Sequence, residues 1–192
     1  MSPRPRSPTP TAIPALAAAV LVELTAVACV PADRDRADPP ATVTGPDEGT
    51  TSGAMTANAT VVGVVDGDTI DVRVGGAEER VRLIGVDTPE TKRPDTPIEC
   101  YGPEATAFTA RLLPAGSAVH IERDVENRDA YGRLLGYVYR AGDGVFVNYE
   151  LVRQGYATPL SIEPNVAHAA TFVDAARHAE RADAGLWSAC SG

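Results

Sequence analysis

The chain has 192 residues, of which 44% are hydrophobic and 5% aromatic, and its formal net charge is −9 at pH 7. This length suits one domain of ordinary size. The acidic balance argues against a broadly basic surface of the kind that neutralises many phosphates, so any cationic contact with a polyanion must be local.

The first 28 residues have the pattern of a secretory signal. Two arginines precede an apolar stretch from Ile13 to Ala28, which fits a signal peptide better than a membrane-spanning helix. The segment Ala26 to Ala28 suits ordinary signal cleavage, whereas a small residue before Cys29 suits a bacterial lipoprotein box. The position of Cys29 favours lipidation and membrane attachment over a free secreted form, and both readings predict an exported protein.

Residues 29–57 are rich in Pro, Asp, Thr, Gly and Ala, show no apolar periodicity, and are predicted to form a disordered tether. Residues 58–192 are predicted to form the folded domain, with 13 Lys and Arg against 20 Asp and Glu. Its net charge of −7 confines basic contacts to a few side chains, which are Arg82, Lys92, Arg93, Arg128 and Arg133.

Alternation and β-branched content predict five strands, near Thr60–Val65, Thr69–Val74, Glu79–Ile84, Ala118–Arg123 and Leu134–Arg140. Three helices are predicted, from Pro103 to about Leu113, from an Asn148 N-cap to Gln154, and from about Asn165 to Arg181. This order of strands and helices is that of an α+β, mainly β fold, a five-stranded OB barrel with three helices.

The run from Arg82 to Glu90, RLIGVDTPE, places a cation, two acids and a hydroxyl beside an apolar strand segment. The proline ends the strand, so the carboxylates lie at its rim. Asp87, the Thr88 carbonyl and Asp68 of the DGDT turn supply oxygen ligands of the kind that calcium prefers. Asp-Gly is also an ordinary turn dipeptide, which is the alternative explanation for the DGDT segment.

Six segments in this order resemble the thermonuclease family, the staphylococcal-nuclease type of calcium-dependent phosphodiesterase. They are DGDT (66–69), RLIGVDTPET (82–91), YGPEATAFT (101–109), DAYGR (129–133), VNYELVRQGYA (147–157) and GLW (185–187). The resemblance covers about residues 60–187 and implies the same OB barrel.

The resemblance also implies residue roles. It implies calcium ligation by Asp68, Asp87 and the Thr88 carbonyl, a general base at Glu90, and contacts of Arg82 and Arg133 with the scissile phosphate. Tyr131 is expected to donate a hydrogen bond to a phosphate. Lys92 is expected to contact substrate, although it could equally belong, with Arg93, to a solvated loop.

Two positions depart from the family pattern. Ala130 replaces a lysine near the nucleotide, and the segment from Leu160 to Ile162 lacks a tyrosine that stacks on a base. Because stacking contributes about 1 to 3 kcal/mol per base, we expect weaker substrate binding and an unchanged set of groups for hydrolysis.

An exported chain with Cys100 before the first helix and Cys190 near its last residue predicts a bridge between them. Two unrelated thiols are the alternative. Together with the resemblance, the sequence predicts a monomeric, calcium-dependent endonuclease on DNA and RNA, and the resemblance implies that its products carry 3′-phosphates. The competing hypotheses are a non-catalytic OB-fold module that binds nucleic acid or protein, and a hydrolase restricted to short nucleotides.

Overall fold

The computed structural model describes residues 53–92 and 96–190. Five strands form a closed barrel in the order β1-β2-β3-β6-β5, and a further pair, β4 and β7, forms a small second sheet. The strands are β1 (Ala59–Asp66), β2 (Thr69–Val74), β3 (Ala77–Leu83), β4 (Gly85–Asp87), β5 (Ala118–Glu122), β6 (Leu134–Arg140) and β7 (Thr158–Leu160). The predicted mainly β fold with a five-stranded barrel is confirmed.

Three helices pack on the barrel, as predicted, and a four-residue helix follows them. They are α1 (Gly102–Leu112), α2 (Val147–Arg153), α3 (Ala169–Arg181) and α4 (Leu186–Ala189). The third helix begins four residues later than the sequence suggested. Within the described residues, no helix is long and apolar enough to cross a membrane.

Adjacent barrel strands are antiparallel except β3 and β6. These two strands pair in parallel, with Val81 opposite Leu134 and Leu83 opposite Gly136. The β2–β3 hairpin turns at Gly75-Gly76, as expected from its turn chemistry. The β1–β2 hairpin turns at Gly67-Asp68, one residue beyond the expected Asp66-Gly67 dipeptide. The DGDT segment therefore joins the last residue of β1 to the start of β2. It lies beside the end of β3, where the Leu83 N–H donates to the Asp68 carbonyl at 2.9 Å.

The RLIGVD segment is not the single strand that its apolar pattern predicted. Gly85 adopts φ of 78°, and a Cβ at this position would overlap the Phe172 ring of α3. The chain turns there because only glycine tolerates both the conformation and the close packing. The strand β4 begins at this glycine. It pairs with β7, with Gly85 opposite Leu160 and Asp87 opposite Thr158.

Asn148 connects the barrel to this turn. Its side-chain oxygen accepts a hydrogen bond from the Val138 N–H at 2.9 Å, and its amide nitrogen donates to the Ile84 carbonyl at 2.9 Å. The prediction that Asn148 caps α2 is wrong, since the residue is fully buried inside the helix and Phe146 is the N-cap. A buried amide must satisfy its polar atoms, and here it does so on two different elements.

The two ends of the described part of the chain are attached to the barrel. Met55 N–H donates to the Ala141 carbonyl at 2.8 Å, three residues before the predicted start of the domain. Cys100 and Cys190 form a disulfide, with Cα atoms 5.9 Å apart. The predicted pairing is therefore present. Cys29 and residues 1–52 lie outside the described residues, so the signal, lipidation and tether predictions stay predictions.

Candidate active site

Asp68 is buried at the end of the barrel and is held by several donors. Its Oδ2 accepts hydrogen bonds from the Thr88 N–H at 2.9 Å and the Thr88 hydroxyl at 3.0 Å, and its Oδ1 accepts from the Thr69 hydroxyl at 3.1 Å. The DGDT turn and the DTPE segment are thus joined by one carboxylate. Gly67 permits this contact, because a Cβ there would overlap the Thr88 side chain.

Arg82 lies between the two carboxylates that the sequence assigned to calcium. Its Nη2 is 3.2 Å from Asp68 Oδ2 and 3.0 Å from Asp87 Oδ1. Its Nη1 donates to the carbonyls of Leu83 and Val86, each at 2.8 Å. Only 15% of the Arg82 side chain is exposed, so the guanidinium is fixed in position by the bend that Gly85 makes possible.

Glu90 follows on the same rim and is held by backbone groups. Its Oε1 accepts hydrogen bonds from the N–H groups of Thr91 and Lys92, at 2.8 and 2.7 Å. The Glu90 N–H in turn donates to Glu99 Oε2 at 2.9 Å. These contacts orient a carboxylate toward the cleft that also contains Asp68 and Arg82.

Arg133 approaches the cleft from the β6 side and is positioned by Asp129. The Arg133 Nε donates to Asp129 Oδ2 at 2.7 Å, while Asp129 Oδ1 accepts from the N–H groups of Tyr131 and Arg133. Burial raises the pKa of Asp129, but hydrogen bonds from Arg133 and its charge outweigh burial and leave this pKa below its usual range. Asp129 is therefore ionised at neutral pH, and Arg133 has a fixed counter-charge.

One cleft of about 350 Å³ brings together six of the eight predicted site residues. They are Asp68, Arg82, Asp87, Thr88, Glu90 and Arg133. The other two lie beside it. The side chain of Lys92 is exposed, and Tyr131 is 86% exposed, with its ring centroid 5.5 Å from the Arg133 guanidinium carbon.

An apolar pocket of about 420 Å³ adjoins the cleft and shares Arg82 and Arg133 with it. Leu135, Leu160 and Ile162 line this pocket, and Tyr131 stands at its edge. Leu160, at the position where the resemblance led us to expect a base-stacking tyrosine, thus lines this pocket. Its aliphatic side chain offers no aromatic face for a base.

The outer face of β2 and β3 borders Arg133 on the other side and is rich in ion pairs. On this face Arg73 pairs with Glu78 at 2.6 Å and Arg80 with Asp71 at 2.8 Å. Arg128, from the connection between β5 and β6, pairs with Glu79 at 2.8 Å. Such exposed pairs contribute little to stability, but the acids offset the positive charge beside the cleft.

The oxygen donors at the rim fit a hard cation by their chemistry. Asp68 and Asp87 converge on one arginine nitrogen, so both carboxylates can reach one point, with Thr88 beside them. Across residues 53–92 and 96–190, no group of three or more His, Cys, Asp or Glu side chains is arranged for a metal. A cation here would take two carboxylates and complete its shell with carbonyl and water oxygens.

Asp66 is a third aspartate at the edge of this cleft. Burial raises its pKa, and the charge of Asp68 raises it further, while the Thr69 hydroxyl and Arg82 act in the opposite direction. Its Oδ1 accepts the Asp68 N–H at 3.2 Å. This contact is the Asp-Gly turn chemistry that the sequence offered as the alternative explanation, and Asp66 serves the turn while lining the cleft.

Two residues that position the site were not identified from the sequence. Asp129 could have been found, since an Asp three residues before Gly132 in the DAYGR segment is typical of a turn in which the Asp side chain accepts the N–H two residues on. Glu99 carries no such signal. It pairs with Glu90 across nine residues of chain, and nothing in its own spacing or neighbours indicates that contact.

Comparison with known proteins identifies relatives across this region. The family model for staphylococcal nuclease homologues matches residues 80–189. The thermonuclease of Staphylococcus intermedius is 42% identical over 124 residues, which cover 65% of this chain and 72% of the relative. The thermonuclease of Staphylococcus hyicus is 40% identical over 128 residues (67% and 74%), and endonuclease YncB of Bacillus subtilis is 37% identical over 133 residues (68% and 62%).

Proposed function

The chain belongs to the family of staphylococcal nuclease homologues, and from this membership we propose that it is a calcium-dependent endonuclease acting on DNA and RNA and leaving 3′-phosphates. One observation carries the proposal. The two fixed arginines, the oriented glutamate and the paired aspartates line the same cleft, which is the set of groups that phosphodiester hydrolysis requires.

The roles follow from charge and position. Glu90, oriented by the Thr91 and Lys92 N–H groups, takes a proton from the attacking water. Arg82 and Arg133 stabilise negative charge that develops on the phosphoryl oxygens. Because Arg82 is already held by two carboxylates and two carbonyls and Arg133 by the Asp129 carboxylate, both need little reorganisation. A guanidinium is a poor acid at neutral pH, so protonation of the leaving oxygen is assigned to solvent.

Calcium would be held by Asp68, Asp87 and the Thr88 carbonyl, where it would polarise a phosphoryl oxygen. An all-oxygen site with two carboxylates and a backbone carbonyl suits calcium better than magnesium, which needs a smaller and stricter octahedron. Arg82 now occupies the space between the two carboxylates. Its two carbonyl contacts would hold the guanidinium beside these carboxylates.

The test is nucleolysis of long single-stranded DNA and of RNA in calcium, in magnesium and in chelator. We expect cleavage in calcium, much slower cleavage in magnesium, none in chelator, and products that accept a 3′-label only after dephosphorylation. Equal turnover with magnesium, or full activity in chelator, would contradict the calcium assignment.

Direct titration of calcium onto the protein measures the site without reference to turnover. Asp87→Asn should weaken calcium binding, because it removes one of two carboxylate ligands. Asp174→Asn, which changes an exposed acid of α3, is the matched control and should bind calcium as the parent does. Equal calcium affinity in parent and Asp87→Asn would exclude Asp87 as a ligand.

A hydrolase restricted to short nucleotides is a second candidate, favoured by the paired arginines on the face beside Arg133. Such a face gives a long polyanion few free cations. Digestion of long single-stranded DNA against dinucleotide esters separates the two candidates. Failure to cleave either substrate would instead favour the non-catalytic binding module.

The last part of the proposal concerns location and assembly. We propose that the protein is exported from the cytoplasm, is attached to a membrane through a lipidated Cys29 and acts as a monomer. The Cys100–Cys190 bridge supports it, since disulfides persist in oxidising compartments. Mass spectrometry of the mature protein from a bacterial membrane fraction would show an acylated Cys29. An unmodified chain starting elsewhere would contradict the anchor.

A further inference from the structure

The segment that precedes α1 lies against the segment that carries Glu90. Glu99 and Glu90 exchange two hydrogen bonds, from the Glu99 N–H to the Glu90 carbonyl at 3.0 Å and from the Glu90 N–H to Glu99 Oε2 at 2.9 Å. The backbone of Gly102 also packs here, since a Cβ on it would overlap the Thr91 methyl group and lie 3.2 Å from the Glu90 carbonyl oxygen. Glu90 is thus held from behind by residues 99–102.

This supporting segment is fixed to the rest of the domain by the disulfide. Cys100 directly follows Glu99 and is bonded to Cys190, the residue after α4. The helix α4 is in turn fixed at its start, where the Leu186 N–H donates to the Gly155 carbonyl at 2.8 Å. One hydrogen bond, the helix α4 and the disulfide therefore link the α2–β7 connection to the residue beside Glu99.

We propose that Glu99 is a positioning residue for Glu90 and that the Cys100–Cys190 disulfide keeps Glu99 in register, so that loss of either lowers the rate of hydrolysis. The inference rests on the proposed function, because it takes Glu90 as the general base. Glu99 acts through its carboxylate oxygen as a hydrogen-bond acceptor. A group that receives the Glu90 N–H fixes the backbone from which the catalytic carboxylate extends, and small displacements of such a group are costly in rate.

The first arm compares three variants by kcat and KM. Glu99→Ala removes the acceptor and should lower kcat by about tenfold or more with KM within about twofold, because substrate contacts are untouched. Glu99→Gln keeps an acceptor oxygen and should retain kcat within a few-fold of the parent. Glu104→Ala, which removes an exposed acid from the first turn of α1, should match the parent.

The second arm tests the disulfide with Cys100→Ser combined with Cys190→Ser, assayed at a temperature where circular dichroism shows a folded protein. Its kcat should fall, and adding Glu99→Ala to it should cost less than Glu99→Ala costs in the parent, because both changes act on one contact. Fully additive losses would overturn the link between the disulfide and Glu99.

A parent-like kcat in Glu99→Ala, or an equal loss in Glu99→Gln, would overturn positioning through the acceptor oxygen. Hydrogen exchange of the Glu90 amide gives a readout independent of turnover, and Glu99→Ala should accelerate it. If the parent cleaves nothing, the proposed function fails, and positioning is then decided by this exchange rate alone. Unchanged exchange in Glu99→Ala overturns it.

Discussion

The polar cleft and the apolar pocket beside it share two arginines but are built differently. In the cleft, Asp68, Arg82, Glu90 and Arg133 each make at least two hydrogen bonds to fixed protein groups. The walls of the pocket include aliphatic side chains with no aromatic face, among them Leu160 and the 64% exposed Ile162. The groups that we propose to carry out hydrolysis are thus held in place by hydrogen bonds, whereas the aliphatic walls of the pocket offer few specific contacts.

This contrast predicts that changes in the cleft act on kcat and changes in the pocket act on KM. The largest effect is expected from Glu90→Gln. The amide keeps the shape of the side chain but cannot accept a proton, so kcat should fall by about 10²- to 10⁴-fold while folding and calcium binding are retained. Single-turnover cleavage and calcium titration measure the two quantities. A rate within a few-fold of the parent would remove Glu90 from the mechanism.

The second effect concerns the counter-charge of Arg133. Asp129→Asn keeps an oxygen for the N–H groups of Tyr131 and Arg133 but loses the carboxylate that holds the Arg133 side chain. We expect kcat/KM to fall by about tenfold to a hundredfold, since a mobile guanidinium must be ordered in the transition state. Asp143→Asn removes the partner of Arg140, away from the cleft, and should leave cleavage unchanged. A faster Asp129→Asn would show that the ion pair restrains Arg133 from its substrate.

The third effect tests the pocket itself. Leu160→Tyr adds an aromatic face and should lower KM on the order of tenfold with little change in kcat, because a stacked base contributes about 1 to 3 kcal/mol. Val62→Tyr is the matched control, since Val62 and Leu160 are each 37% exposed and Val62 lies on β1 outside the pocket. Equal KM values in the two variants would show that Leu160 does not contact a base.

The smallest effect is the response to salt. Arg73, Arg80 and Arg128 are each paired with an acid. The binding of a nucleic acid should therefore release few counterions. KM should rise only weakly as salt increases, and Leu160→Tyr, which adds no charge, should keep the same slope. If log KM rises with log salt concentration as steeply as it does for about six or more phosphate contacts, the substrate must contact basic residues elsewhere on the surface.

The barrel could be predicted because alternation, turn dipeptides and helix boundaries are local signals, and the structure has the five barrel strands where these signals place them. The residues of the cleft could be nominated in large part because DGDT and DTPE are polar segments at strand ends, and the structure joins them through the Asp68–Thr88 hydrogen bonds. The break at Gly85 was missed, since a glycine within an apolar run does not reveal the Phe172 ring that packs against it from α3.

The roles of Asn148 and Glu99 were missed for a related reason. Asn148 precedes a helical pattern, which is typical of an N-cap, and only the folded barrel brings the Ile84 carbonyl and the Val138 N–H to its amide. Glu99 is one exposed acid among many. Contacts of this kind depend on how helices and strands pack against one another, and the spacing of residues in the sequence does not predict that packing.

The amide of Asn148 also has a consequence for the motions of the domain. It connects α2 to the interior of β6 and to the residue where the chain leaves β3, so that residue cannot detach without exposing a polar group inside the core. The rim bearing Asp87 and Glu90 should therefore not open as a separate unit. Local opening and proteolytic cleavage occur mainly in segments with few buried contacts. The Val138 amide proton should exchange with solvent only when the whole barrel unfolds.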